Sequence, residues 1–164
     1  MDYLTIFLIA TSLSFDSFAA SLSFGLCQRK ILFSRAFKVA LILALFQGGF
    51  PFIGWLLGET VNNYIQDWDH WIAFCLLALI GGRVIYENIR QGAVKKPLDP
   101  SKWTVILITA IATSIDALIV GFTFSLVEIN ILVTGLIIAA ITFFASMTGI
   151  FFGKKAAIKY GPIM

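Results

Sequence analysis

The chain has 164 residues, of which 59% are hydrophobic and 13% charged, with a formal net charge of +3. Soluble domains carry about 25% charged residues, so together with a mean hydropathy of +0.93 this composition excludes a water-soluble globule. The positive residues are scattered over short stretches instead of gathered in a basic run with interleaved aromatics, so nucleic acid is not an expected partner.

A bilayer core about 30 Å thick needs roughly 20 apolar helical residues per crossing. Five such spans are predicted, at 3–26, 36–58, 71–89, 103–127 and 131–153. They are long, continuous and rich in Leu, Ile, Ala and Phe, which separates them from the alternating segments of about ten residues that build barrels. The chain begins Met1-Asp2-Tyr3 with no basic stretch ahead of the first span, so that span is expected to stay in the membrane and not to be removed as a signal peptide. Cys27 and Cys75 have no C-x-x-C or Cys/His spacing and are expected to be buried, inert thiols.

Loop charge sets the expected orientation, because Lys and Arg concentrate on the cytoplasmic side. Arg29, Lys30, Arg35 and Lys38 follow the first span; Arg90, Lys95, Lys96 and Lys102 follow the third; Lys154, Lys155 and Lys159 follow the fifth. The second loop holds Glu59, Asp67, Asp69 and His70, and the fourth Glu128 and Asn130, with no Lys or Arg in either. The reading is a multi-pass membrane protein with its N-terminus outside and its odd-numbered loops inside. Trp55, Trp68, Trp71, Trp103 and Tyr86 fall near span ends, where they serve as interfacial anchors.

An offset of 100 residues lays Ser14-Phe15-Asp16 on Ser114-Ile115-Asp116, Ser23 on Thr123 and Phe24 on Phe124; an offset of 95 lays Gly54 and Gly58 on Gly149 and Gly153. This order predicts an all-α membrane protein built as an inverted repeat of three transmembrane helices: 1–90 as the first repeat, 91–102 with Pro97 and Pro100 as a cytoplasmic linker, 103–164 as the second. Three spans are odd in number, so the second copy runs the other way. A sixth helix is expected to complete it, and the stretch 154–164 is too short and polar to be that helix, so the second repeat reads as truncated.

Asp16 and Asp116 each lie about 20 Å into their spans at 1.5 Å per residue. A carboxylate there costs about 2.5–3.5 kcal/mol on insertion scales, so such an acid normally faces a partner, a cavity or an ion. Thr5, Ser12, Asp16 and Ser23 form one polar stripe, as do Thr109, Asp116 and Thr123. Gln47, four residues before the kink expected at Pro51, and its counterparts Thr142 and Ser146 add oxygen ligands, although such groups also serve as bonds between helices. Met147 reads as packing, Arg83 with Glu87 as a helix-surface ion pair, and His70 as solvated. The expected metal ligands are Asp16, Asp116, Gln47, Ser12, Thr142 and Ser146. Two carboxylates with hydroxyl and amide oxygens make a hard site, suited to Mg²⁺ or Mn²⁺.

The segments SFDSFAASLSFG at 14–25, Phe46-Gln47 with Pro51 and Gly54-Trp55-x-x-Gly58, Gly81-Gly82-Arg83 with Tyr86-Glu87, ATSIDALIVG at 112–121, and Thr142-Phe143 with Ser146, Gly149 and Gly153 resemble the MntP family of bacterial manganese efflux pumps. The likeness runs through all five spans. It implies a six-helix exporter of the bacterial plasma (inner) membrane that removes excess Mn²⁺ from the cytoplasm, with Asp16 and Asp116 as its acids, and a more distant kinship with LysE-type exporters. No G-x-x-x-x-G-K-[ST] segment is present, so the expected mechanism is secondary transport, with protons as the coupling ion and no cofactor. An exporter of another cation or of an amino acid, and a non-transporting membrane assembly protein, are the alternative readings. No nucleophile and base pair is apparent, so an enzyme is not expected.

Overall fold

The computed structural model describes residues 3–27, 32–62, 103–127 and 129–160. These form four α-helices: α1 (Tyr3–Cys27), α2 (Phe33–Asn62), α3 (Trp103–Phe124) and α4 (Ile131–Tyr160). They correspond to the first, second, fourth and fifth predicted spans. The predicted third span and the linker at 91–102, with Trp68, His70, Trp71, Cys75, Arg83, Tyr86 and Glu87, lie outside the described residues.

All four helices are long and apolar enough to cross a bilayer. At 30 residues each, α2 and α4 are about 45 Å long and outrun the hydrocarbon core. That is why α4 continues through Lys154, Lys155 and Lys159 where the hydropathy pattern stops at 153: hydropathy marks the lipid-facing length, not the end of the hydrogen-bond ladder. The helix ends follow local chemistry. Asn130 caps α4, its Oδ1 accepting from the Val133 amide at 3.3 Å and its carbonyl from the Thr134 amide at 3.0 Å. The predicted fourth span runs to 127, but α3 ends at Phe124, and its last carbonyls accept from the amides of Ser125, Leu126 and Val127 in successive i to i−3 bonds of 3.1, 3.2 and 3.3 Å.

α1 packs along α4, and α2 packs along both α3 and α4, while α1 and α3 touch over a small area. Glycines set the closest approaches. On α2, Gly54 faces the Leu118 carbonyl and Phe122 amide, and Gly58 faces Ser125; on α4, Gly149 faces the Phe18 carbonyl and Leu22 amide, and Gly153 faces the Leu22 carbonyl and Gly25. A Cβ at Gly149 would come 2.7 Å from the Phe18 oxygen, so these crossings need the missing side chain. The contacts advance in step along both members of each pair, so α1 runs parallel to α4 and α2 parallel to α3. Phe33 stacks on Phe151 at 6.2 Å and Phe37 meets Phe143 edge-on at 5.4 Å, while Gly48 meets Gly135 and Ala139, so α2 and α4 are antiparallel. α1 and α3 therefore point in opposite directions.

The residue distribution is inverted relative to a soluble bundle. Leu4, Phe15, Leu45, Leu136 and Phe144 are among many large apolar side chains left exposed, while Ser17, Ser21, Gln47, Ser114, Thr142 and Ser146 are fully buried. With lipid outside, large apolar groups gain nothing by moving inward, and small or polar residues take the helix contacts. The buried apolar core divides into two clusters, one around Leu13, Ala117 and Ile138, the other around Leu43, Ala110 and Ile150. Cys27, expected to be buried, is exposed, because the apolar run that suggested burial ends at the last residue of α1.

Candidate functional site

Asp16 stands in the middle of α1 and Asp116 in the middle of α3. Where these antiparallel helices adjoin, the two carboxyl groups are close enough to interact electrostatically. Both residues are exposed along that face, as are Thr5, Ser12, Ser23 and Thr123 of the two predicted stripes. The stripes contain few groups free to bind anything else: the Ser23 hydroxyl donates to the Ala19 carbonyl at 3.1 Å and that of Thr123 to the Ile119 carbonyl at 3.2 Å. The described cations Arg35, Lys38, Lys154, Lys155 and Lys159 are all near helix ends, so among the described residues no Lys or Arg shares the middle of the bundle with the acids.

A second polar layer lies inside. Gln47 of α2 is fully buried and engaged at both ends: its Nε2 donates to the Leu13 carbonyl at 2.9 Å and its Oε1 accepts from the Ser17 hydroxyl at 3.0 Å. Thr142 and Ser146 occupy one face of α4 at i and i+4, and both hydroxyls are buried without a hydrogen-bond partner. Ser21 and Ser114 share that condition. A buried hydroxyl with no partner forfeits about 1–3 kcal/mol, so such groups are rare where no ligand or water is served.

Of the six ligand residues expected from the sequence, Asp16 and Asp116 are brought together. Ser12 lies one turn before Asp16 on the exposed face, Gln47 is tied into α1, and Thr142 and Ser146 are buried in α4. Ser17, Ser21 and Ser114 are buried polar residues that the ligand set expected from sequence does not include. Ser14, Ser17 and Ser21 recur at spacings of three and four, the signature of one helix face beside the stripe that carries the acid. Among the described residues, His, Cys, Asp and Glu form no cluster of three or more. A cation held by the aspartate pair would therefore complete its shell with hydroxyl, amide or carbonyl oxygens or water.

Four membrane-capable helices, an inward polar layer and a mid-helix carboxylate pair define a multi-pass membrane protein with the features of a cation transporter. The chain belongs to the MntP family: the family profile, described as "Putative manganese efflux pump", matches residues 30–162. Similar proteins named "Putative manganese efflux pump MntP" come from Rippkaea orientalis, 43% identical over 155 residues covering 94% of this chain and 83% of that protein, and from Bacteroides thetaiotaomicron, 40% identical over 159 residues covering 94% and 82%. A third, from Syntrophotalea carbinolica, is 35% identical over 162 residues, 98% of this chain and 86% of that one. No solved structure gives a significant match. Membership makes the protein a transporter and not an enzyme.

Proposed function

We propose that this protein is a secondary-active exporter that moves Mn²⁺ out of the cytoplasm, with protons as the coupling ion, through a site centred on Asp16 and Asp116. The observation that carries the proposal is the meeting of these two carboxyl groups in mid-helix, with no Lys or Arg beside them among the described residues. Two adjacent carboxylates away from bulk water repel each other until something positive neutralises them. One divalent cation does so, and so do protons. Oxygen donors suit Mn²⁺ and discriminate against metals that favour thiolate or imidazole. Ser12, Thr142 and Ser146 are the further oxygen donors assigned to the metal. Gln47 belongs with them by position, but its engaged amide has the least capacity left.

The repeat reading supplies the transport cycle. Gly54 meets Leu118 and Phe122, and Gly149 meets Phe18 and Leu22; these are the same contacts under the offsets of 95 and 100. That correspondence, together with the opposed directions of α1 and α3, supports an inverted repeat with 1–90 and 103–164 as its halves. Rocking of one half against the other would expose the acids to each side in turn. Moving a divalent cation outward against an inside-negative potential costs about 4.6 kcal/mol per 100 mV, twice the figure for one charge, and inward protons offset it.

The test is Mn²⁺ uptake into inverted inner-membrane vesicles carrying the protein, with and without an imposed proton gradient. Uptake above empty vesicles that collapses with a protonophore is expected. Because ligand oxygens must be deprotonated to bind metal, Mn²⁺ binding to the purified protein should weaken as the pH falls. Transport of another cation or of an amino acid without Mn²⁺ would replace the substrate assignment, and Mn²⁺ uptake indifferent to the protonophore would remove the coupling.

A further inference from the structure

Gln47 makes two side-chain hydrogen bonds to a neighbouring helix, and both land on one turn of α1. Its Nε2 donates to the carbonyl of Leu13, three residues before Asp16, and its Oε1 accepts from the hydroxyl of Ser17, one residue after it. Both Gln47 and Ser17 are fully buried, so no water competes for these bonds. The amide is used in both senses, donor on one side and acceptor on the other, which fixes the rotation of the α1 turn as well as its height against α2. Asp16 projects from this turn toward Asp116.

Among the described residues, the second repeat has no such clamp. Under the offsets of 100 and 95, Ser17 corresponds to Ala117 and Gln47 to Thr142. Ala117 is fully buried and has no hydroxyl to offer. Thr142, two heavy atoms shorter in reach than glutamine, has a buried hydroxyl with no partner. Thr113, the counterpart of Leu13, spends its own hydroxyl on the Thr109 and Ala110 carbonyls of the same helix, at 3.0 and 3.2 Å. The amide clamp that ties the Asp16 turn to α2 thus has no equivalent between the Asp116 turn and α4.

We propose that Gln47 is a positioning residue that fixes the Asp16 half of the carboxylate pair, while the Asp116 half is the one that shifts when the site changes sides. This rests on the exporter reading, and it assigns the two acids unequal parts within it: Asp16 as the fixed ligand, Asp116 as the partner that closes on and releases the cation.

Two measurements test it, one of which needs neither metal nor transport. In purified chain with Cys27 and Cys75 replaced by Ser, spin labels at exposed Phe15 and Leu45 report the α1–α2 separation, and labels at exposed Ile115 and Leu136 report α3–α4. The first distance distribution should be the narrower. It should broaden in Gln47→Leu, which keeps the volume and removes both bonds, and the second should narrow in the double variant Ala117→Ser with Thr142→Gln, which rebuilds the clamp in the other half. Equal widths in the parent chain, or no change in either variant, would overturn the proposal even if the protein exports Mn²⁺ perfectly well.

The second measurement is the Mn²⁺ dependence of export. Ser17→Ala is the discriminating variant, because it leaves the Gln47 oxygen intact and freer to bind metal. A clamp predicts a KM raised by about fivefold with the maximal rate nearly kept, whereas a ligand role for Gln47 predicts an unchanged or lower KM. Gln47→Leu should raise KM by about tenfold or more. If Gln47→Leu fails to fold, the Ser17→Ala result decides: a KM at the parent value overturns the positioning role. Loss of Mn²⁺ transport in the parent chain would instead overturn the exporter reading and leave the distance result standing on its own.

Discussion

Many hydroxyl groups in these helices settle against their own backbone: Thr11 on the Phe7 carbonyl at 2.7 Å, Thr60 on Leu56 at 2.8 Å and Thr148 on Phe144 at 2.9 Å. An ionised aspartate cannot do this, because it has no proton to give a carbonyl. An acid within an apolar span therefore reads from sequence as a candidate for holding something that arrives, the part proposed here for Asp16 and Asp116. Serine carries no such signal. The same residue type lies exposed against its own backbone at Ser23 and sealed without a partner at Ser21, and nothing in the sequence separates the two conditions. Replacing either aspartate with asparagine keeps the shape and removes one charge. Each variant should insert normally and bind Mn²⁺ at least about tenfold more weakly, the scale of one lost charged contact. Isothermal calorimetry on purified protein measures this directly, and an affinity within twofold of the parent would remove that residue from the site.

At the scale of helices, the Gly-x-x-x-Gly pairs were legible as places of close packing, but their partners were not. Sequence offers no reason why Gly149 and Gly153 of the last helix should lie against Phe18, Leu22 and Gly25 of the first. Only the repeat offsets hint that two crossings should be alike, and the backbone then shows which helices make them. Pro51 illustrates the same limit. Its position in the sequence predicts a kink, and α2 carries the proline without ending there, but its close fit to Gly121 of α3 depends on that glycine having no side chain. These contacts make a sharp contrast among glycines. Gly54→Leu should destroy the folded bundle, since even a Cβ would collide with the Leu118 carbonyl. Gly49 has nothing within 4 Å of where its Cβ would stand, so Gly49→Ala should be tolerated and should stabilise the helix by about 0.8–1.0 kcal/mol through propensity alone. Thermal melting in detergent separates the outcomes; a melting point for Gly54→Leu close to the parent would show that α2 and α3 do not cross there.

Among the described residues, the bundle has one basic end. Stacking of Phe33 on Phe151 brings the start of α2 to the end of α4, gathering Arg35 and Lys38 with Lys154, Lys155 and Lys159. The last residues of α1 join them, since Gly25 lies against the amide of Lys154. At the other end stand Glu59 and the Asn130 cap, so the charge asymmetry read from the loops persists in three dimensions. Basic residues stay on the cytoplasmic side during insertion, so the orientation we propose has the N-terminus outside, with the exposed Cys27 as a native reporter of the cytoplasmic face. In a chain with Cys75 replaced by Ser, an impermeant thiol reagent applied to intact cells should leave Cys27 unmodified and should label it once the membrane is permeabilised. A cysteine placed at exposed Asn130 should behave in the opposite way, reacting in intact cells. Because α1 and α4 run parallel, the two positions cannot exchange sides independently. Labelling of Cys27 together with protection at Asn130 would therefore invert the entire bundle and turn the proposed direction of Mn²⁺ movement into a question of which face loads first.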